Sequence, residues 1–458
     1  MKSDPVGEVK RTCELLKPQI IGFSLRNLDT ARFHYEDTGE KTFLDELIRL
    51  INASRVEKSL VVLGGSGFSI APSQILKSTC ADAGFVGTSE FDFAEFCFRV
   101  VVEKLGATQA AVGLASVILP GQQSSQAVKA NLGQPSHFET AAVEYAKLIG
   151  GTIPIRTKSG CSMNCSYCVV PSIEKVNLRP WLDIRNELRL IVDAGLGDRV
   201  FIADGEFNLP SVEHAIDLCH RINAEFRDSV RWTCYLEAGY VTRELLCAMR
   251  SAGCVGISLT ADAFASPSRI GLIKVTKPDI AVRAARLCLE SGIQTDINLL
   301  FGGPNETLET AITTSRIAKQ LNQEGATLTV TIGLRVYPNT PLSTMVKKDR
   351  YRPYFRACQQ YDWLGLFCCP VPASELVHYI RSTLPPSETV SYCNTRTINE
   401  RDDAFYHQVA IGADMLASRD FTEAKEHFVA IKSAAPTCVE AHLGLLKAEH
   451  GLLESVPG

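Results

Sequence analysis

The sequence predicts an α/β chain with a helical tail, on three observations. Short apolar, β-branched runs alternate with amphipathic helical stretches from residue 19 to residue 336, the pattern of parallel sheets built from βα units. The predicted strands run out into glycines and polar residues, and in such sheets ligands collect at the carboxyl ends of the strands. After residue 343 the pattern yields helices and loops alone.

Composition bounds the function. A chain of 458 residues that is 45% hydrophobic has material for two or three domains. A net charge of −4 supplies no basic field for nucleic acid. No apolar run is long enough to span a membrane, and the start, MKSDPVGEVKRTCELL, lacks the apolar core of a signal peptide. The 16 cysteines are scattered apart from one triplet and Cys368-Cys369, which is no secreted disulfide framework. A reducing cytoplasm is the expected location.

Residues 6–17 read as a helix leading into a strand at 19–25, which ends at Arg26-Asn27-Leu28-Asp29. A helix at 41–53 precedes a strand at 59–63 that breaks into Gly64-Gly65-Ser66-Gly67-Phe68-Ser69. A helix at 72–79 and a short strand at 83–86 follow, ending at Gly87-Thr88-Ser89-Glu90, then a helix at 91–105. Ala110–Leu119 reads as one more strand, 120–135 as a linker and 138–149 as a helix.

The second stretch opens with a strand at 153–157 that runs into Lys158-Ser159-Gly160-Cys161-Ser162-Met163-Asn164-Cys165-Ser166-Tyr167-Cys168. Cysteines at spacing x3 and x2 let one loop aim three thiolates at one centre. Thiolates are the usual ligands of iron–sulfur clusters, and a cubane takes four, so three leave one iron open. A structural zinc site wants four closed ligands, and no further Cys or His follows before His214.

Helices at 181–195, 211–226, 242–252, 278–291 and 307–323 then alternate with strands at 199–204, 230–236, 254–260, 293–300 and 327–336. With 153–157 these make the six strands of a partial (β/α)6 barrel, whose strand ends should carry the site. Those ends read Asp204-Gly205-Glu206-Phe207-Asn208, Tyr235-Leu236-Glu237, Ser258-Leu259-Thr260-Ala261-Asp262, Gly302-Gly303-Pro304-Asn305-Glu306 and Arg335-Val336-Tyr337-Pro338. A carboxylate at 204–206 suits an ammonium group, although Asn208-Leu209-Pro210 also suits a helix start. Gly302 and Gly303 permit close backbone approach, while Asn305 and Glu306 also suit a cap for the next helix.

In the tail, Lys347–Arg356 reads as a surface or lid segment. Trp363, Phe367, Cys368 and Cys369 read as core. A helix at 373–383 follows. Gly412, Ala424-x3-Phe428 and Pro436 match one tetratricopeptide-like helix pair, with a third helix at 438–452. One such pair needs neighbours to bury both faces, which leaves a protein partner at the C-terminal helices open.

The triplet Cys161-x3-Cys165-x2-Cys168, with Tyr167 before its last cysteine, resembles the signature of the radical S-adenosylmethionine (SAM) enzymes. The resemblance implies a [4Fe-4S] cluster on Cys161, Cys165 and Cys168 whose open iron binds SAM. It implies SAM contacts from Tyr167, Asp204, Gly205, Glu206, Ser258, Gly302, Gly303 and Arg335, and puts Glu237 and Tyr337 within reach of SAM or substrate. The run G-x-R-x-Y-P-x-T-x-L at 333–342 is similar to one in cobalamin-type members. SLRNLD, VVLGGSGFSI and VGTSE, within 19–90, resemble the flavodoxin-like cobalamin-binding domain of that group. This implies cobalamin against Arg26, Asn27, Gly64, Gly65, Gly67, Phe68, Ser69, Gly87 and Glu90. Two features depart from the family. Its domain opens with two strands ahead of the one at 19–25, so a bare edge is expected here unless the start is truncated or another element covers it. There is no D-x-H-x-x-G, and His34 and His137 lack that context, so no histidine is expected on cobalt. The nearest group, which includes tryptophan C-methyltransferases and lipid-biosynthesis enzymes, implies an arginine under cobalt. Arg26 is the candidate, its other role being a rim salt bridge with Asp29 or Glu90.

The implied organisation is a cobalamin-binding-like α/β domain at 1–130, a radical SAM barrel at 131–345 and a helical domain at 346–458. The implied activity is transfer of a methyl group from SAM through cobalamin to an unreactive carbon of a small molecule, tryptophan or a related aromatic being the specific expectation. An external flavodoxin- or ferredoxin-type donor would supply electrons. Two alternatives stay open: a cobalamin-type enzyme that rearranges or cyclises a lipid or natural product, and a degenerate scaffold that binds a partner.

Overall fold

A computed structural model describes residues 4–28, 43–56, 59–122, 152–358, 361, 363–392, 415–416, 420–434, 445, 448–449 and 452. The described parts of Val6–His137 and Thr152–Thr395 form one compact unit, and the helix Phe421–Ala434 falls in a second.

Val61, Val62 and Leu63 are buried on both faces, as a strand inside a parallel sheet requires. They form the middle of β2 (Leu60–Gly64), which pairs in parallel with β1 (Ile20–Ser24) on one side and β3 (Ala83–Phe85) on the other. The expected strand at Ala110–Leu119 shrinks to β4 (Val117–Ile118), antiparallel to β3, because Ala107–Ala110 turns into a short helix first. β1 is the outer strand of this sheet, with Gly22 and Ser24 exposed.

The barrel strands follow the expected series. β5 (Ile153–Ile155) leads into β6 (Lys158–Ser159), which pairs antiparallel with β7 (Asn177–Leu178). β8 (Val200–Ile202), β9 (Trp232–Leu236), β10 (Cys254–Asp262), β11 (Gln294–Phe301) and β12 (Thr327–Ile332) join β5 in one parallel sheet. Trp232, Cys234, Leu236, Ile297, Leu299, Phe301, Leu328, Val330 and Ile332 are buried. Their alternate neighbours, among them Thr233, Tyr235, Asp296, Asn298, Thr327 and Thr329, stay partly open, since successive side chains point to opposite faces. The open face of the sheet is thus mostly polar.

The tail departs from expectation. Gly333 takes φ +75° and turns the chain out of β12, so the single strand expected at 327–336 splits. β13 (Leu334–Val336) forms an antiparallel sheet with β15 (Gly365–Phe367), which in turn pairs with β14 (Phe355–Ala357). β16 (Val390–Tyr392) then adds a seventh parallel strand beside β12. Lys347–Arg356, expected as a surface or lid segment, is mostly exposed surface, anchored by its aromatic residues. Tyr351 is buried, its ring edge-on to Phe367, and its hydroxyl donates to Asn305 at 2.6 Å. Cys368 and Cys369 are core residues, as expected. Phe367 and Cys369 share one apolar cluster, whereas Trp363 packs with Tyr361 and Leu364 against Leu25, Leu28 and Leu44 of the N-terminal sheet. Tyr361 also donates to Asp45 at 2.9 Å. Ala424 and Phe428 are buried on the helix Phe421–Ala434. Gly412, Pro436, most of the expected helix 438–452, the helix 138–149, most of 120–135, Asp29, His34 and His137 lie outside the described residues. No helix among the described residues is long and apolar enough to cross a membrane.

Glu306 closes the end of β11 rather than capping the next helix, which Thr307 caps with Thr310. Its buried carboxylate accepts from the Gly302 N–H and from the Ser268 hydroxyl at 3.1 Å. Burial pushes its pKa up to about 7, against the lowering effect of these donors. The folded protein therefore keeps a proton that the unfolded chain releases near an unperturbed pKa of about 4.3. That stabilisation is fully present below the unfolded value and is lost as pH rises through about 7. Glu306→Gln is expected to lose this decline: in urea unfolding across the window, stability should fall with pH more steeply in the wild type than in the variant.

Candidate active site

The cysteine triplet sits on a loop fixed from both sides. Gly160 turns the chain into it with φ +66°, and a Cβ there would lie 2.6 Å from the Lys175 carbonyl carbon, so only glycine fits. Inside the loop, Ser166 N–H donates to the Leu272 carbonyl at 3.0 Å, Leu342 N–H donates to the Ser166 carbonyl at 2.8 Å, and Cys168 N–H donates to the Cys165 carbonyl at 3.0 Å. Tyr167, between the last two cysteines, donates its hydroxyl to Asp262 at 2.9 Å.

All three thiols are free, and burial raises their pKa values, that of Cys165 to about 12. Lys274 opposes this at each of the three. Thiols in this state ionise with a metal centre rather than alone. Among the described residues no group of three or more His, Cys, Asp or Glu is arranged to hold a metal ion. Three thiols on one loop are the donor chemistry of an iron–sulfur cluster. Gly205 faces the loop: a Cβ there would lie 3.4 Å from Cys161 Cβ.

Asp204, expected at SAM, and Glu237, expected within reach of SAM or substrate, both have partners within the protein. Asp204 is buried against Lys158 at 2.8 Å. It also accepts from Thr157 N–H at 2.8 Å, Lys158 N–H at 3.3 Å and the Thr157 hydroxyl. With both oxygens engaged it ties the end of β8 to the strand entering the loop. Glu237 is fully buried. It pairs with Lys274 at 2.7 Å and accepts from Thr276 Oγ1 at 3.1 Å and Gly239 N–H at 3.4 Å. These are positioning residues; buried carboxylates find cations because an uncompensated buried charge is costly.

Glu206 differs. Its Oε1 accepts from Thr260 Oγ1 at 2.8 Å, but Oε2 is buried and has no partner. Burial pushes its pKa up to about 8. The Nδ2 of Asn298 is a second buried atom without a partner, on the open face of β11. Buried polar groups are normally satisfied, so a free acceptor and a free donor on one sheet fit a polar ligand. Ser258 lies mid-strand, opposite Tyr235 and Asp296 in register. Gly302, with φ +87°, is required by the chain itself, since a Cβ would lie 2.6 Å from Cys368 Sγ; at Gly303 it would meet Leu272 at 3.0 Å. Arg335 faces Leu366 across β13 and β15, and Tyr337 packs partly buried against the apolar cluster of the N-terminal sheet.

At the N-terminal sheet the strand ends divide. Arg26, Asn27 and Glu90 are exposed, and Gly64, Gly65 and Gly87 are partly exposed. Among the described residues no ion pair joins Arg26 to Glu90, so that half of the rim salt bridge is absent. Phe68 is core, fully buried. Gly67 is buried because a Cβ would lie 2.9 Å from the Arg26–Asn27 backbone. Ser69 spends its hydroxyl within the fold, donating to the Gly65 carbonyl and accepting from Gly87 N–H, each at 2.9 Å. These three support the rim rather than line it.

One residue outside the sequence expectations joins the two edges. Glu174 accepts from the Thr88 hydroxyl at 3.3 Å and from Gly160 N–H at 3.4 Å, and pairs with Arg156. Its side chain is 13% exposed. Burial alone would raise its pKa, but Arg156 and the two donors hold it below the usual value. The rim after β3 therefore lies beside the cysteine loop. No motif flags Glu174 or Lys274, because their partners are distant in the chain.

Residues 155–317 match the model of the Radical SAM superfamily, so the chain carries a radical SAM domain. A curated relative, the tryptophan 2-C-methyltransferase of Streptomyces laurentii, is 29% identical over 206 residues, which are 41% of this chain and 33% of the relative. The chain thus matches about a third of that relative's length. Among solved structures, the radical SAM methyltransferase TsrM from Kitasatospora setae, with cobalamin and a [4Fe-4S] cluster bound, superposes with a TM-score of 0.73 at 19% identity, over 95% of this chain and 92% of that one. TsrM with tryptophan and a SAM analogue gives 0.71 at 20% identity, over 88% and 85%. OxsB, a cobalamin-dependent SAM radical enzyme with aqua-cobalamin and SAM bound, gives 0.59 at 13% identity, over 98% and 69%. The chain is similar in fold to these enzymes.

The engaged and the free carboxylate should respond differently. Asp204→Ala strands the Lys158 ammonium and is expected to cost about 3–5 kcal/mol of apo-protein stability, the scale for a broken buried pair. Glu206→Gln, which loses no ion pair, is expected to stay within about 1 kcal/mol of wild type, near the net worth of one hydrogen bond. Urea unfolding of the iron-free proteins checks both, and equal losses would place the two residues in the same role.

Proposed function

We propose that the chain is a cobalamin-dependent radical SAM enzyme that methylates an unreactive carbon of a small molecule. The observation that carries this is the placement of the exposed rim of the N-terminal sheet beside a loop bearing one buried and two half-buried thiols, joined through Glu174. A flat cofactor on the rim and a cluster in the loop would share one reaction space. Cys161, Cys165 and Cys168 would hold the cluster, and Lys158–Asp204 would fix their loop. The free oxygen of Glu206 suits the ammonium group of SAM. Asn27, Gly64, Gly65, Gly87 and Arg26 would face cobalamin. When bound, these groups supply the methyl group and the electron chemistry; the protein supplies binding, orientation and exclusion of water. A flavodoxin- or ferredoxin-type protein would deliver electrons.

Tryptophan or a related aromatic is the substrate class we favour. The named activity of the curated relative supports it, and so does the edge-on pair of Tyr235 and Phe201 on the open face, which offers an apolar wall to a ring. The runner-up is another cobalamin-type radical reaction on a lipid or natural product.

Anaerobic reconstitution is expected to give about four irons per chain, lost in the triple Cys→Ala variant. With SAM, cobalamin, reductant and tryptophan, mass spectrometry should find a product one methyl group heavier. Iron retained in the triple variant overturns the site; rearranged, unmethylated products from other substrates favour the runner-up.

Bound cob(II)alamin should show no imidazole nitrogen splitting in its EPR spectrum, as the missing D-x-H-x-x-G requires. Guanidinium stays protonated and donates no lone pair, so Arg26 beneath cobalt would discourage a lower ligand. Arg26→Ala is expected to change the EPR spectrum and to lower methylated product per bound cobalamin by tenfold or more. An unchanged spectrum and turnover would remove Arg26 from the mechanism.

A further inference from the structure

Lys274 is a buried cation near the cysteine loop, and neither its motif context nor its helix periodicity singles it out. It lies between the helices Ser266–Gly271 and Pro278–Glu290, with its side chain 1% exposed. Its ammonium meets Glu237 at 2.7 Å and Asp262 at 3.1 Å, and donates to the Thr260 carbonyl at 3.4 Å. The loop that carries it is pinned from inside, because Arg269 donates to the carbonyls of Ala261, Ala263 and Thr276. Leu272, two residues ahead, receives the Ser166 N–H of the cysteine loop. Asp262 receives Lys274 and the Tyr167 hydroxyl on the same oxygen. The cation is therefore locked to the loop by two routes.

We infer that Lys274 is a tuning residue: its fixed charge sets the reduction potential of the cluster proposed for Cys161, Cys165 and Cys168, with Glu237 and Asp262 holding it in place. The inference rests on the cluster reading of that loop. Its charge stands against the cysteine loop, because the Asp262 oxygen that meets it at 3.1 Å also takes, at 2.9 Å, the hydroxyl of Tyr167, the residue between Cys165 and Cys168 in that loop. Burial opposes the charge on the lysine, and the two carboxylates in contact with it, Asp262 and Glu237, outweigh that. The other charged groups nearby are Glu206, Arg269 and, beside Cys161, Lys158 with its partner Asp204.

Reduction moves one electron from an external low-potential donor, dithionite or titanium(III) citrate in the test, to the cluster. The donor is oxidised, the core goes from 2+ to 1+, and no bond or proton is transferred. A nearby cation in low dielectric stabilises the added negative charge, and cluster potentials follow net charge and surrounding hydrogen bonds. Removing the cation should thus lower the potential, and removing an opposing carboxylate should raise it.

The test is anaerobic redox titration of reconstituted protein, followed by visible absorption and by EPR of the reduced cluster, with iron content measured on each sample. Lys274→Met is expected to lower the ratio of reduced to oxidised cluster at fixed potential by tenfold or more, a shift of about 59 mV for a one-electron couple. Glu237→Gln should shift it in the opposite direction, and Lys274→Arg should stay near wild type. If Lys274→Met fails to fold or to hold iron, the other two variants decide by the sign and absence of their shifts. Unchanged potentials in Glu237→Gln and in any iron-loaded Lys274→Met leave Lys274 a structural counter-ion and overturn the inference. A wild type that takes up no iron overturns the cluster reading itself.

Discussion

Charge compensation in a water-poor site is the constraint on which the rest depends. The three thiols, one buried and two half-buried, hold a metal centre only as thiolates, and burial resists that ionisation. Two buried lysines stand behind the loop, each held by carboxylates from neighbouring strands: Lys158 by Asp204, Lys274 by Glu237 and Asp262. Removing one partner from such a pair costs more than the pair contributes, because a charge is left alone in low dielectric. The ends of β8, β9 and β10 are thereby committed to the loop. Among the described residues, Glu206 Oε2, Asn298 Nδ2 and, in the loop itself, Ser166 Oγ are buried without a hydrogen-bond partner.

The same logic joins the two sheets. Glu174 receives a hydroxyl from the rim after β3 and an amide N–H from the residue before Cys161, while Arg156 at the end of β5 neutralises it. Polar contacts alone give orientation without much adhesion. The apolar cluster of Leu25, Leu28 and Leu44 with Cys358, Tyr361 and Leu364 adds burial at the other flank, where association is roughly proportional to area. Cys358, Tyr361, Trp363 and Leu364 thus pack with the N-terminal residues, although in sequence they follow the barrel.

The small antiparallel sheet explains why the glycines after β11 and β12 are there. Gly302 and Gly333 both take positive φ and lie against each other and against Cys368 and Leu366. Their shape serves β13, β15 and the chain crossing beneath them. A glycine at a strand end in a β/α sheet reads as ligand space; here part of that space is filled by the protein's own chain.

Local spacing determined much of this protein. The x3, x2 cysteine interval, the apolar alternation of β9–β12 and the amphipathic helices between them are short-range patterns, and each is legible because its physics lies within a few residues. So was the exposed rim at Arg26 and Asn27, which follows a strand directly. Only the tertiary structure decided which carboxylates are free. Asp204, Glu206 and Glu237 look alike at strand ends, and what separates them is whether a lysine many residues away arrives beside them. It likewise decided that Phe68 and Ser69 support the rim from within, that 346–395 supplies β14, β15 and β16, and that Lys274 and Glu174 belong to the site. Partners distant in the chain meet through packing, and a buried charge is defined by those partners rather than by its neighbours in sequence.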